Sequence, residues 1–521
     1  MNSNPTEVNL TREGLACSFT YPKEFFDVMN DEKKVITRFP PEPNGFLHLG
    51  HVKAMEIDFS FAKENNGVCI FRFDDTNPLA ESNEFYDSAR EDVEWMGYSY
   101  VMETNTSDYF DLLYNFAITM IKQGDAYVCE LPHEEIRRYR HEKIESPYKE
   151  RSTEESLRLF DEMKKGMHAE GTMTLRMKGD LNNNNSTLWD VIMYRIIYNK
   201  HCKTDNTWVI YPSYDYSHCI IDSIENITHS FCTTEYEVRR EQYYWFLDKL
   251  NLSKPYVYEF GRLEVENETL SKRKIKEMVE NKIVCGWDDP RLLTIKGLRR
   301  RGYVPSALKE FCRNAGITKT GGTLSRLLLE NIIRDKLNLI SPRRMVVMSP
   351  IKLVIMNHTN KTECAALDFP FDKLSAARFV HLTKEIFIDS NNFKEIDEKD
   401  FYGLAPGKTI RLKYGPFVEF ESHNKETNTI NVKIVEPSNP KKIKGVLNWV
   451  NSDYQLIMIR SFENLNMTSL ECFAEPSLNK TNVKVEDKFQ FEKYGFYCVD
   501  KDSTDSNNLI FNETVKLKTS Y

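Results

Sequence analysis

Paired cysteines are missing from this chain. Its 11 cysteines are scattered over 521 residues with no C-x-x-C among them. A zinc ribbon or a thioredoxin-like redox centre therefore loses support, and buried reduced thiols are expected. No apolar run approaches the ~20 residues that a membrane-spanning helix needs. The opening residues, MNSNPTEVNLTREGLACSFT, contain acids and have neither an apolar signal core nor an Arg-rich transit pattern. A cytoplasmic protein with no membrane partner is expected. Positive charge is also short, with 70 Lys and Arg against 78 Asp and Glu for a formal net charge of −8. Any nucleic-acid contact would then use local, salt-sensitive patches. KGLRRRGY (Lys296 to Tyr303), SKRKIK (Ser271 to Lys276) and PRRM (Pro342 to Met345) are the basic clusters that could supply them. What remains is ordinary for a soluble globular protein, 40% hydrophobic and 28% charged.

KKVITRFP (Lys33 to Pro40) reads as a buried strand, HLGHVKAMEIDFSFAKENNG (His48 to Gly67) as a helix stopped by Asn65, Asn66 and Gly67, and VCIFRF (Val68 to Phe73) as a second buried strand. That is a βαβ unit, whose ligands bind beyond the carboxyl ends of the strands. PPEPNGFLHLGHVKA (Pro40 to Ala54) and DDTNP (Asp74 to Pro78) lie there, with a helix expected to start near Pro78. From about Ser107 to Pro212, charged amphipathic helices mix with short strands, and TWVIYPSYDYSHCIIDSIENITHSF (Thr207 to Phe231) reads as a further strand-and-turn region. Beyond Ile340 the alternation of polar and apolar residues predicts one or two β-barrels.

His48 and His51 are one helical turn apart at a helix start, where free N–H groups and the helix dipole favour phosphate. Imidazoles there can donate to phosphate oxygens as charge builds on phosphorus. Gly50 leaves room for a group to approach the backbone, and the prolines shape the loop in advance. Asp74, at a strand end, can either pair with an ammonium group or cap a helix. Lys272 reads either as a solvated surface lysine or, with Ser271 and its basic neighbours, as part of a loop closing over a triphosphate.

PPEPNGFLHLGH resembles the HIGH motif region of class I aminoacyl-tRNA synthetases, in the form of the glutaminyl and glutamyl branch. LSKRK (Leu270 to Lys274) resembles the second signature of that class, with Leu270 where methionine is usual. RFDDTNP, GWDDPRLLTIKGLRRRGY, KGVLNWV and FNETVKL extend the likeness over nearly the whole chain. The resemblance implies an α/β fold: a Rossmann-type parallel-sheet catalytic domain with an acceptor-binding insertion, a helical subdomain and C-terminal β-barrels. Its boundaries are expected at 26–106 and 214–262 for the two catalytic halves and 107–213 for the tRNA acceptor-binding insertion. The second signature and helical subdomain fall at 263–340, and two anticodon-binding barrels at 341–521. A compact form without a long N-terminal extension is also implied.

By the same resemblance His48, His51 and Lys272 are catalytic, Lys272 balancing charge on the departing pyrophosphate. ATP is held by Glu42, Pro43, Asn44, His48, Leu49, Gly50, His51, Val52, Lys53, Ala54, Thr233, Arg262, Leu263, Leu270, Ser271 and Lys272. The amino acid meets Arg38, Asp74, Tyr214 and Cys232, with Asp74 on its α-amino group. Arg343, Lys408, Arg411 and Lys413 are candidates for tRNA, each equally readable as a solvated barrel charge. Glutamyl relatives carry arginine where this chain has Cys232, so the missing charge points to glutamine. Val257, where glutaminyl relatives often have glutamine, is a departure. The implied reaction ligates L-glutamine to the 3′ end of glutamine tRNA, with ATP as substrate and Mg2+ carried by the ATP, through an adenylate that releases pyrophosphate. A glutamyl or non-discriminating enzyme is the alternative. No structural metal and a monomer are expected.

Overall fold

The computed structural model describes residues 21, 23–27, 34–372, 374–503 and 509–518. The chain divides into two units, residues 1–276 with 309–325, and residues 277–308 with 326–521. Residues 263–340 are thus shared between the two.

In the first unit β1 (Ile36–Phe39), α1 (Leu49–Glu64) and β2 (Val68–Phe73) form the strand–helix–strand that periodicity predicts. β1 and β2 run parallel, Ile36 opposite Val68 and Phe39 opposite Phe71. Both are buried runs of β-branched and aromatic residues, as suits a sheet covered on both faces. After α1 the chain passes tight against Val35: a β-carbon on Gly67 would lie 2.3 Å from the Val35 carbonyl oxygen, so only glycine fits.

α2 (Asn83–Trp95) leads to β3 (Glu103–Asn105), which pairs with β2. The helix expected near Pro78 therefore begins later, at Asn83 after Ser82. Asp75 instead accepts from the Ser107 N–H (2.8 Å), the Ser107 hydroxyl (2.6 Å) and the Tyr86 hydroxyl (3.1 Å), and the Asn77 N–H donates to Glu81 (2.6 Å). These bonds hold residues 74–81 as an irregular loop that no helical turn could share.

Between the halves of the parallel sheet come α3 (Phe110–Gln123), β4 (Ala126–Cys129), α4 (His133–Glu142), α5 (Thr153–Lys164), β5 (Thr174–Met177), β6 (Ile192–Ile196) and β7 (Ile210–Pro212). The four strands form one antiparallel sheet in chain order. The expected strand-and-turn region also needs correcting, because α6 (Tyr214–Ile224) stands between β7 and β8 (His229–Thr233). Its Tyr and Ile content favours strands, but Tyr216, Cys219, Ile220 and Ser223 are buried at helical spacing and the Ser213 hydroxyl caps the start. α7 (Arg240–Lys249) follows, then β9 (Tyr256–Phe260), parallel to β8 with Cys232 opposite Glu259.

β8 approaches β1 at Thr228, whose N–H donates to the Ile36 carbonyl and whose hydroxyl accepts from the Ile36 N–H, both at 2.9 Å. The strands therefore lie in the order β3-β2-β1-β8-β9, the Rossmann-type arrangement, and their carboxyl ends gather Pro40, Asp74, Thr233 and Gly261. β10 (Leu263–Val265) and α8 (Lys272–Glu280) come next.

The second unit holds two seven-stranded sheets. In one, the outermost strands are Arg343–Arg344 and Val346–Val347, consecutive pieces of chain separated by Met345. In the other they are Val446–Leu447 and Val450–Asn451, separated by Asn448 and Trp449. One short segment thus pairs with both edges of each sheet and closes it into a barrel. Each barrel has its own core, around Trp449 and Leu353 in one and Phe491 and Phe511 in the other.

Two of the three basic clusters are not free patches. Arg299 pairs with Glu486 (2.7 Å), Arg300 with Asp500 (2.9 Å) and Asp502 (2.7 Å), and Arg344 with Asp368 (2.6 Å). Arg343 is buried, its guanidinium donating to the Asn338 side chain (2.7 Å) and the Ser341 carbonyl (2.9 Å). The basic clusters are expected as local patches; acids distant in the chain pair with these arginines here.

Candidate active site

The Pro-rich turn is fastened to β2: the Asp74 N–H donates to the Pro41 carbonyl at 3.1 Å, and the Asn44 N–H to that of Glu42 at 2.9 Å. It delivers His48 to the N-cap of α1. His48 Nδ1 accepts from the Gly50 N–H (3.1 Å), and the His48 N–H donates to His51 Nδ1 (3.2 Å), a reciprocal cap. The rings sit 4.0 Å apart, centre to centre. Because both Nδ1 atoms accept, the proton of each neutral ring is on Nε2, which stays available as a donor. Burial and the neighbouring cations Lys272 and Arg262 lower His48 to about 3, and burial with His48 and Lys272 puts His51 well below its usual range. Both imidazoles are uncharged near neutral pH and act as dipolar donors.

Lys272, the first residue of α8, reaches back to this turn, its ammonium donating to Asn44 Oδ1 (2.6 Å) and the Glu42 carbonyl (3.1 Å). Burial lowers its pKa to about 8, against the pull of Glu42. Leu270, just before it, comes close enough that a β-carbon on Gly50 would lie 3.9 Å from its Cδ1. Other residues of the expected ATP set divide. Leu49, Val52 and Leu263 are buried, and so is Lys53, with its ammonium on the Gly261 carbonyl (2.6 Å). Arg262 is exposed and paired with Glu235, Ser271 is exposed, and Thr233 stands just before the short helix Thr234–Arg239. Pro43 is buried within the turn, and Ala54 is half-buried on α1.

Asp74 is buried and accepts only long bonds, from Thr76 (3.4 Å) and Thr106 (3.5 Å). Burial, then Glu42 and Asp75, push its pKa up to about 7. A carboxylate so weakly satisfied is suited to a cationic guest. Across from it, Tyr214 stacks on His218 at 4.1 Å, and the Tyr236 ring lies 5.3 Å away. Arg38 is buried, its Nε donating to Asp222 (3.0 Å) and its Nη1 to the Phe231 carbonyl (2.8 Å). Asp222 also takes Arg72 (2.6 Å), Ser230 (2.8 Å) and Tyr243 (3.0 Å). Burial alone would raise Asp222, but the two guanidiniums hold it well below the usual carboxylate range.

Cys232 faces a small cavity lined also by Arg38, His218, Tyr236, Arg239, Arg240 and Val257. Every arginine there has its own acid: Arg38 with Asp222, Arg239 with Asp215, Arg240 with Glu259. The cavity wall therefore carries no uncompensated cation. Residue pattern alone had not indicated Asp222, Asp215 or Glu259, since nothing local in the sequence marks a counter-ion supplied from another element. It also missed a loop of contacts around residues 75–78. His201 Nε2 meets the Asp75 carbonyl (3.0 Å), Asn199 donates to the Pro78 carbonyl (2.6 Å) and Arg195 to that of Thr76 (3.4 Å).

A roomier cavity of about 810 Å³ opens at the far end of α1, among Glu64, Gly67, Tyr98 and Arg313, and touches none of the expected site residues. Among the described residues no group of three His, Cys, Asp or Glu side chains is arranged to hold a metal ion. In the second unit Lys408 pairs with Asp397 (2.5 Å) and Lys413 with Glu492, whereas Arg411 is exposed above the Phe417 ring.

Residues 34–339 match the model for tRNA synthetases class I (E and Q), catalytic domain, and residues 341–436 that for the anti-codon binding domain of the same family. The chain belongs to the class I tRNA synthetases of the E and Q type. A glutamine–tRNA ligase of Lupinus luteus is 44% identical over 94% of this chain and 66% of its own length. A cytoplasmic glutamine–tRNA ligase of Arabidopsis thaliana is 45% identical over the same shares. The chain thus spans somewhat less than two thirds of these plant relatives. The glutamine–tRNA ligase of Photobacterium profundum is 40% identical over 93% of this chain and 94% of its own length. For this E- and Q-type synthetase the two signature turns are the ones joined by Lys272 and Asn44.

Proposed function

We propose that the chain ligates L-glutamine to the 3′ end of glutamine tRNA in two steps. The glutamine carboxylate attacks the α-phosphorus of ATP, which enters with its Mg2+, and expels pyrophosphate. The terminal ribose 2′-hydroxyl of the tRNA then attacks the activated carbonyl. His48 and His51 present Nε2–H donors to the phosphates, and Lys272 meets the charge that collects on the leaving pyrophosphate. Their uncharged state supports this division, since neutral imidazoles orient oxygens while the ammonium supplies the net charge. Asp74 takes the α-ammonium group. Positioning and fixed charge carry the step, with no protein base required. The 107–213 insertion would hold the acceptor end and the barrels the anticodon loop, Arg411 being the exposed cation on that face.

The observation that carries glutamine over glutamate is the cavity beside Cys232, where Arg38, Arg239 and Arg240 are each neutralised. A carboxylate entering it would be desolvated with no free cation to meet it, whereas a carboxamide would not. Charging a glutamine tRNA transcript with labelled glutamine and with labelled glutamate tests the reading. Glutamine should be favoured by at least ~10³ in kcat/KM, on the scale of a site matched to polar groups. Equal use of the two amino acids would overturn it.

A further inference from the structure

β8 and β9 run in parallel register with Cys232 directly opposite Glu259; Cys232 and Arg240 line the small cavity, and Glu259 lies behind them. Glu259 has none of its surface exposed. Its carboxylate accepts from the guanidinium of Arg240, whose Nε lies 2.8 Å away and whose Nη2 makes a second contact. Arg240 is the first residue of α7, which continues directly from the short helix Thr234–Arg239. A carboxylate buried on β9 is desolvated at a cost that its partner repays only in part. Together they cancel, and what they cancel is a positive charge at the rim of the amino-acid cavity.

We infer that Glu259 is a specificity-determining residue: it is the counter-charge that keeps Arg240 from drawing a carboxylate side chain into the cavity beside Cys232. The inference rests on the glutamine reading above and adds to it the residue that enforces it. The electrostatics at the cavity agree in sign. Burial, then Glu259, push the Cys232 thiol up to about 12, and Glu259 acts there more strongly than Arg240 does. An amide in place of Glu259 keeps the shape and leaves Arg240 unpaired. An amide in place of Arg240 does the reverse and leaves a buried acid facing any incoming carboxylate.

The two single variants should therefore move selectivity in opposite directions. Charging of glutamine tRNA with each amino acid is measured for the full-length chain and for Glu259→Gln, Arg240→Gln and the double variant. Glu259→Gln should lower the glutamine-over-glutamate ratio of kcat/KM at least tenfold, through a fall in the KM for glutamate. Arg240→Gln should hold or raise the ratio, and the double variant should return it to within about threefold of the starting value. If Glu259→Gln does not fold, Arg240→Gln alone decides, because a lowered ratio there contradicts the proposed sign. An unchanged ratio in Glu259→Gln, or a double variant as relaxed as the single one, overturns the inference. A starting chain that shows no preference for glutamine would instead defeat the underlying reading.

Discussion

Asn44 and Lys272 stand 228 residues apart in sequence, and the Lys272 ammonium donates to Asn44 Oδ1 at 2.6 Å. This bond ties the Pro-rich turn to the start of α8. Replacing Lys272 with methionine should lower kcat for tRNA-dependent pyrophosphate exchange by about 10²–10³, the usual loss for one charge-stabilising donor. The binding of tRNA measured by filter retention should stay the same.

The Lys272 ammonium titrates near 8 because it is buried. A lysine lowered in this way is cationic below that pH and loses its charge above it. The kcat/KM for ATP should therefore fall as pH rises through about 8. The fall in kcat should lie higher, since bound phosphates favour the charged form.

Asp74 works in the opposite sense. Burial, Glu42 and Asp75 raise it to about 7, so it is protonated below that pH and cannot pair with an ammonium group. The kcat/KM for the amino acid should decline as pH falls through about 7, and Asp74→Asn should remove that limb while lowering the parameter ~10²-fold or more. A carboxyl raised on folding destabilises the folded state above its folded pKa. The same variant should thus melt about 1–3 °C higher at pH 8 in a thermal scan.

At Gly50 an added β-carbon would come within 2.9 Å of His48 Cε1 and 3.0 Å of its Nδ1. Gly50→Ala should displace that ring from its cap. Loss of the cap is worth about 1 kcal/mol, and the KM for ATP should rise more than that for glutamine when the two are compared in the same exchange assay.

Arg300 and Arg411 should separate cleanly, although both are arginines in basic surroundings. Arg300 is paired with the buried Asp500 and with Asp502, both of which Arg460 also reaches, so Arg300→Leu should cost about 1–3 kcal/mol of stability in urea denaturation. Arg411 is exposed, and Arg411→Ala should leave stability within about 0.5 kcal/mol. It should weaken tRNA binding and reduce the slope of log affinity against log salt by about 1.

The parallel strands, α1 and the β-rich character of the second unit were legible because each follows a local rule. VCIFRF is a short buried run, and Asn65 and Gly67 stop the helix after it has made about four turns. α6 was not legible, since Tyr214, Tyr216, Ile220 and Ile221 favour strands and only tertiary burial of one face decides for helix. At the site, the His pair and Lys272 carry a motif that can be read. Asp222, Glu259 and His201 do not, because each acts through a residue some 20 to 190 positions away. The arginines of KGLRRRGY misled for the same reason: their acids, Glu486, Asp500 and Asp502, lie in another stretch of chain.

The closure of the barrels has a consequence for synthesis. Arg343–Val347 supplies both edges of one barrel, yet its partner strands, Asn466–Ala474 and Lys488–Phe491, are encoded after the whole of the other barrel. At ~5–20 residues per second the ribosome leaves those edges unpaired for about 6–30 s. Their hydrogen-bonding groups are an open template during that interval. The inserted barrel, whose own edges are both supplied by Val446–Asn451, can close first and hold the waiting ends near each other.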